Sequence, residues 1–310
     1  MSPIIALTGA TGFIGGALIR RLQETEWRVR ALARPASRRD HLSGVEARWI
    51  EGDLEDPESL RRLVRGADAV VHCAGAVRGR TRNHFFRVNR DGVARLLKAA
   101  VREHPPPRFL LVSSLAAREP HLSPYAASKR AGEAVLAAGA GRMPWAALRP
   151  SVVYGPGDRE VLPLFRSMYR GVAPVTGPPG ARFSMLYVDD LAGAILKWLA
   201  RGGTRTRIFE VHDGTPGGYG WGDLIRIMAR LRGGPVRRIR VPAVFLSAAA
   251  AVNIAAARIA GYDPMLTPGK VREIGHPRWV CDNTPLIRET GWSPRVRLEE
   301  GLRRVLDFRR

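Results

Sequence analysis

With 310 residues the chain is long enough for one large α/β domain or two closely joined ones, and at 45% hydrophobic residues it can bury a substantial core. The net charge of +22 invites a nucleic-acid reading. However, the only lysines are Lys98, Lys129, Lys197 and Lys270, and the arginines are scattered, with no block of like charge and no Arg-rich tail interleaved with aromatics. Nucleic acid is therefore not an expected partner. Cys73 and Cys281 are far apart and support neither a disulfide scaffold nor a metal site, and the opening strand at Ile4 leaves no room for a signal peptide, so a cytoplasmic location is the expectation.

Strand-like and helix-like patterns alternate from the start. Ile4 to Leu7 reads as a strand, Gly15 to Glu24 as a helix, and Val29 to Ala33 and Ala47 to Ile50 as strands. A helix from Pro57 to Val64, a strand at Ala69 to His72, one long helix from about Arg87 to Val101 and a strand at Phe109 to Val112 follow. Pro105-Pro106-Pro107 ends that long helix. The alternation predicts an α/β fold: a Rossmann-type doubly wound parallel sheet with helices on both faces. After Arg149-Pro150 the Gly- and Pro-rich pieces Gly155 to Asp158 and Thr176 to Gly180 read as loops around a pocket. A short strand near Met185 to Val188 and a helix from Asp189 to Leu199 are expected to return to the sheet. The division expected is residues 1–165 for the dinucleotide-binding domain, with 181–212 returning to it, and 166–310 for a smaller, interleaved C-terminal substrate lobe.

Thr8-Gly9-Ala10-Thr11-Gly12-Phe13-Ile14-Gly15 lies between the first strand and the first helix, the context in which a glycine loop cradles a pyrophosphate. Gly9 suits a tight turn, Gly12 leaves the phosphates room, Gly15 allows close helix packing, and the free N–H groups at the helix start face the anion. At the end of the second strand, where an acidic residue would hold the ribose 2′-hydroxyl of NAD, the chain has Ala33 followed by Arg34, with Arg38 and Arg39 close behind. A guanidinium matches a 2′-phosphate, so NADP(H) is favoured over NAD(H); the alternative is that these arginines belong to a generally Arg-rich surface.

Tyr125 and Lys129 are four residues apart and share one helix face. A free tyrosine, with a pKa of about 10, is a poor acid or base near neutrality, and a nearby ammonium is expected to pull that value down. Tyr125 would then exchange a proton with a carbonyl or alcohol oxygen as hydride moves. Ser113 and Ser114 close a strand at its carboxyl end, where ligands bind in an open α/β sheet. Ser114 is expected to hydrogen-bond the substrate oxygen and the Tyr125 phenol, and Ser113 to cap the strand end.

Taken with further motifs, these residues resemble the extended short-chain dehydrogenase/reductases, the NAD-dependent epimerase/dehydratase family. Thr8 to Gly15 resembles that family's glycine motif. Gly52-Asp53-Leu54 resembles its adenine-contacting loop, and Val71 to Ala76, with Cys73, Ala74 and Gly75, the segment lining the cofactor. Asn89 resembles a structural asparagine near the cofactor. Leu148 to Asp158, with Pro150, Val152 and Val153, Tyr187 to Ala192 and Gly291 to Pro294 extend the likeness over essentially the whole chain. The resemblance implies a catalytic Ser114, Tyr125 and Lys129, with Lys129 also holding the nicotinamide ribose, and no metal. It also implies pairing of helices near Val93 to Val101 and Ala126 to Leu136 in a homodimer.

Sugar-nucleotide epimerases of the family commonly have an asparagine where this chain has Val152 and an acidic residue where it has Ala33. The chain is therefore more similar to the 3β-hydroxysteroid dehydrogenase and dihydroflavonol reductase branch. The function expected is an NADP(H)-dependent oxidoreductase interconverting a carbonyl and a hydroxyl on a small, fairly apolar molecule. The alternatives are a nucleotide-sugar epimerase/dehydratase and a non-catalytic NADP(H)-binding sensor or assembly protein. The almost uniformly apolar Val241 to Ala257 is shorter than the about 20 residues of a spanning helix. It reads as a buried or partner-facing helix rather than a membrane-surface element, and no spanning segment is expected. With Pro264 to Pro268 it suggests an apolar lining for the substrate pocket.

Overall fold

In a computed structural model, which describes residues 2–201 and 207–306, seven parallel strands form the main sheet. In chain order the first half runs β1 (Ile4–Thr8), α1 (Phe13–Leu22), β2 (Arg28–Ala33), β3 (Arg48–Glu51), α2 (Pro57–Val64) and β4 (Ala69–His72). It continues with α3 (Arg82–Phe86), α4 (Gly92–Ala100), β5 (Arg108–Val112), α5 (Pro124–Gly139), β6 (Trp145–Pro150) and β7 (Val152–Tyr154). The second half comprises α6 (Leu162–Tyr169), β8 (Val172–Val175), β9 (Arg182–Phe183), β10 (Met185–Tyr187), α7 (Val188–Arg201), β11 (Arg207–Val211) and β12 (Tyr219–Gly220). It closes with α8 (Trp221–Arg232), β13 (Arg237–Arg240), α9 (Ala243–Ala260), α10 (Pro268–Gly275), β14 (Arg278–Trp279), α11 (Thr284–Thr290) and α12 (Leu298–Leu306).

The sheet order is β11-β6-β5-β4-β1-β2-β3, so the direction of winding reverses between β1 and β4. A ligand crevice forms at such a reversal, beyond the carboxyl ends of the strands. The strands are buried on both faces: one core packs Leu18, Ile19 and Leu22 of α1 with Leu191, Ile195 and Trp198 of α7, and a second, across the sheet, packs Leu60 and Leu63 with Leu96, Leu97 and Leu136. This explains the near-continuous apolar runs, since a covered parallel strand has no polar face to alternate with.

The second half sends β11 back to the sheet edge beside β6, while β10 pairs with β7 outside the main sheet. A third core, with Tyr154, Phe165, Met168, Tyr187, Met228 and Leu302, holds together the smaller part of the molecule. The parts of the expected lobes at residues 1, 202–206 and 307–310 lie outside the described residues.

Two expected elements differ. The single long helix expected from Arg87 to Val101 is instead a π turn at Arg87–Asp91, continuing from α3, followed by α4, and Asn89 in that turn lies inside the fold, 3% exposed. The apolar segment after Val241 is a helix, α9, but only 11% of its eighteen residues are buried. Of the two expected readings, buried or partner-facing, this overturns the first. At mean hydropathy 1.7 it is also long and apolar enough to cross a membrane.

Asp190, in the first turn of α7, is buried and accepts the backbone N–H groups of Arg295 at 3.0 Å and Val296 at 2.8 Å, fastening the C-terminal segment to the sheet domain. Replacing Asp190 with Ala strands one buried and one partly buried donor and is expected to lower stability by about 1–3 kcal/mol. A lower urea midpoint, with an unchanged denaturant slope, is the measurement that checks it.

Candidate active site

The expected site residues follow the carboxyl ends of the parallel strands and therefore gather on one edge of the sheet. The glycine loop follows β1, Arg34 follows β2, Asp53 and Leu54 follow β3, Cys73 to Gly75 follow β4, Ser114 follows β5, and Pro150, Val152 and Val153 sit at the end of β6 and in β7. Tyr125 and Lys129 enter on α5. No group of three or more metal-ligating side chains occurs among the described residues.

The glycine loop fits a bound dinucleotide. Gly9 has φ +72°, and a Cβ there would lie 2.5 Å from the Ala74 nitrogen; one at Gly15 would lie 2.1 Å from the Gly9 carbonyl oxygen. Only glycine tolerates that turn and that approach of helix to strand. Gly12 caps α1 without a side-chain acceptor, so the first N–H groups of the helix stay open to an anion, and Thr11, Phe13 and Ile14 flank them half-buried. Asp53 commits one carboxylate oxygen to the Glu55 N–H at 2.9 Å. Leu54, Cys73 and Val153 pack partly buried against the cores at the crevice wall.

The three arginines after β2 differ. Arg38 pairs with Asp40 at 2.9 Å, and Arg39 lies over the Trp49 ring at 5.3 Å. Arg34 is exposed and makes no ion pair among the described residues.

Asn89 is spent on the protein. Its carbonyl oxygen accepts the Ala76 N–H at 2.9 Å, and its amide donates to the Ala76 carbonyl at 3.0 Å and to Ser128 Oγ at 2.9 Å. Ser128 in turn donates to the Tyr125 carbonyl at 2.7 Å. Asn89 thus fastens the Cys73–Ala76 loop to the helix that carries Tyr125, rather than presenting its amide to a ligand.

Ser114 begins the turn after β5, its Oγ accepting the Ala116 N–H at 3.2 Å, which leaves its own hydroxyl hydrogen to donate. Ser113 does more than the expected capping: its hydroxyl donates to the Glu133 carboxylate. Glu133, 1% exposed, also receives Arg149 through two bonds, Nε at 2.8 Å and Nη2 at 2.6 Å. Glu133 lies one further step of four along the face of Tyr125 and Lys129, and that spacing was the signal available to find it.

The phenol does not move in the expected direction: burial pushes Tyr125 up to about 12, a hydrogen bond with Ser114 opposing and Glu273 adding to the rise. Burial lowers Lys129 to about 8, with Cys73 and Glu133 opposing, and its ammonium donates to the Val112 carbonyl at 3.1 Å. The two groups share a helix face, but the charge is directed at the β5 end and not at the phenol.

Beside Tyr125 lies a cavity of about 230 Å³, walled by Phe85, Ile254, Met265, Thr267 and Glu273. Apolar groups from α9 and from the segment before α10 line it as expected, but Arg80, Arg82 and Lys270 give it a basic side. Glu273, another residue the sequence did not single out, is 6% exposed, binds Lys270 at 2.9 Å and accepts the Ser123 hydroxyl, bolting α10 over the start of α5.

A crevice at the reversal of the sheet order, with Ser114, Tyr125 and Lys129 on its edge and a cavity beside Tyr125, is the arrangement of a short-chain dehydrogenase/reductase fold. The chain belongs to the NAD dependent epimerase/dehydratase family, which it matches over residues 5–211. It is 37% identical to the ceramide reductase of Caulobacter vibrioides, over 99% of this chain and 94% of that one. It is 30% identical to the 2-alkyl-3-oxoalkanoate reductase of Stenotrophomonas maltophilia, over 97% and 98%. Among solved structures it is similar in fold to MoeE5 in complex with UDP-glucose and NAD, with TM-score 0.75 and 22% identity over 99% and 98% of the two chains. The protein is an oxidoreductase of the short-chain dehydrogenase/reductase type, in a family that uses NAD(H).

Exchanging Glu133 for Ala leaves the Arg149 guanidinium buried without its partner and is expected to cost about 3–5 kcal/mol. A large fall in thermal midpoint, with cofactor affinity lost in proportion to the unfolded fraction, is the expected result.

Proposed function

We propose that the protein is an NADP(H)-dependent reductase of a carbonyl on a chain-bearing, apolar molecule with a polar head, residues 1–165 and 181–212 holding the cofactor and the rest shaping the substrate site. The observation that carries this reading is the cavity beside Tyr125, with Ile254 and Met265 for a hydrocarbon portion and Arg80, Arg82 and Lys270 for polar groups. The names of the two curated relatives, reductases of ceramide and of 2-alkyl-3-oxoalkanoates, support an aliphatic carbonyl substrate.

When bound, the nicotinamide supplies the hydride that adds to the carbonyl carbon. Tyr125 is the general acid. A phenol held near 12 is protonated throughout the neutral range, and a developing alkoxide is basic enough to take its proton, so burial suits Tyr125 to reduction. Ser114, with a hydroxyl hydrogen to give, hydrogen-bonds the same oxygen as charge develops on it. Lys129 stands beside Gly75, where it would hold a ribose hydroxyl of the bound cofactor, with its charge supported by Cys73, Glu133 and the Val112 carbonyl. Arg34 binds the 2′-phosphate; the engagement of Arg38 and Arg39 elsewhere supports Arg34 as the discriminating group. A reducing, cytoplasmic setting belongs to this proposal, supported by the two free cysteines, Cys73 and Cys281.

A second reading, a nucleotide-sugar epimerase using NAD, draws support from the family match and the fold likeness to the UDP-glucose complex. The basic side of the cavity would then face a diphosphate.

Tyr125→Phe is expected to lower kcat for ketone reduction by about 10²–10⁴-fold while the dissociation constant for NADPH stays within error. Turnover of long-chain ketones by the wild-type enzyme, with none of UDP-sugars, supports the reductase reading; the reverse pattern supports the epimerase. Nucleotide fluorescence titration is expected to give tighter binding of NADPH than of NADH, with Arg34→Ala removing about tenfold of that preference. Tighter NADH binding by the wild type would refute the assignment of Arg34.

A further inference from the structure

We infer that α9 lies flat on an anionic lipid surface and docks the enzyme there. Leu246, Ala250, Asn253, Ile254 and Ala257 recur at helical spacing on one side of α9 and are half-buried or buried. That side packs on the body: Asn253 donates to the Leu266 carbonyl at 3.0 Å, Tyr262 donates to Asn253, and Ile254 lines the cavity beside Tyr125.

The opposite side is apolar and uncovered among the described residues. Val244, Phe245 and Val252 are 68%, 66% and 69% exposed, Ile259 is 91% exposed, and alanines fill the positions between them. A soluble body gains nothing by presenting phenylalanine, valine and isoleucine in one row to water. Because both ends and the inner side of α9 are tied to the body, the helix lies along the surface rather than piercing a bilayer, as an interfacial helix does.

Charge selects the occupant. No aspartate or glutamate occurs between Asp223 and Asp263. Within that stretch the strand leading into α9 carries exposed Arg237, Arg238 and Arg240, and Arg258 stands in the last turn of the helix. None of these four guanidiniums pairs with a carboxylate among the described residues. An apolar stripe with cations at both ends complements a surface of acyl chains and anionic headgroups. A second copy of the chain seated on the same stripe would bring arginines together with no acid to meet them. Ile254, on the inner side of the same helix, walls the cavity beside Tyr125, so the element that would meet the lipid also borders the site. The docking stands apart from the reductase reading; only its purpose, delivery of an apolar carbonyl, rests on it.

The test is vesicle co-sedimentation of the full chain with phosphatidylcholine alone and with an equal mixture of phosphatidylcholine and phosphatidylglycerol, no substrate or cofactor being present. Binding to the mixed vesicles is expected, weakened by added salt and weaker on phosphatidylcholine alone. The Phe245→Glu/Val252→Glu and Arg238→Glu/Arg240→Glu variants are each expected to lose on the order of tenfold in binding with circular dichroism and NADPH affinity unchanged. Absence of vesicle binding by the wild type, or equal binding by the Phe245→Glu/Val252→Glu variant, overturns the proposal. So does a dimer that Phe245→Glu/Val252→Glu dissociates while neither form binds vesicles, which would assign the stripe to a second copy. Turnover of a short water-soluble ketone, retained in both variants, keeps this result separate from any failure of the reductase reading.

Discussion

The position of α5 sets where Tyr125 and Lys129 stand, and one buried ion pair fixes it. Glu133 meets Arg149 of β6 through two parallel bonds and accepts the Ser113 hydroxyl from the end of β5, so a single carboxylate ties the helix to two neighbouring strands. Two turns earlier on the same face is Tyr125, and between them Lys129. A buried pair of this kind contributes little net energy over an apolar substitute, because desolvation offsets its attraction. What it contributes is direction: hydrocarbon would tolerate small slides of α5, whereas two-point recognition does not. Asn89 repeats the device from the other side, clamping the Cys73–Ala76 loop to α5 through Ser128.

Those clamps explain the titration behaviour. A site enclosed tightly enough to fix Tyr125 also strips it of water, and stripping water from a phenol favours its neutral form. The same enclosure disfavours the charged form of Lys129, so the two groups move in opposite directions and the lysine turns to the Val112 carbonyl and the Glu133 side for support. The outcome is a protonated phenol and a cation held at a lowered pKa, an arrangement with a proton to give.

Much of this was legible in the sequence because it is local. The strand–glycine–helix order from Ile4 to Leu22, the helix from Pro57 to Val64 with Asp56 accepting at its start, and the spacing of Tyr125 and Lys129 are set by neighbours within a few residues. The gathering of Gly9, Cys73 and Ser114 on one edge also follows from local reading, since parallel strands share a carboxyl end. What was not legible depends on distant partners. Periodicity in Arg87 to Ala100 is helical throughout and cannot reveal that Asn89 must turn inward to reach Ala76, which takes a π turn. Four-residue spacing puts Lys129 beneath Tyr125 but says nothing of the Val112 carbonyl that claims its proton. Glu273 is 150 residues from Ser123, and only the fold brings it over α5.

The apolar run after Val241 is the instructive failure. Hydrophobicity alone measures how strongly a segment avoids water, not which partner covers it, and an alanine-dominated run gives too weak a periodic signal to tell an inner face from an outer one. Placement decides: α10 and the cavity take the side with Leu246 and Ile254, and nothing among the described residues takes the side with Phe245 and Val252. A protein of this size has enough apolar sequence to fill three cores without that row, as the complete packing around Phe165, Trp198 and Leu96 demonstrates. The exposed row is therefore surplus to folding. The same helix carries Ile254 on its other side, in the wall of the Tyr125 cavity, so the row and the site share one element.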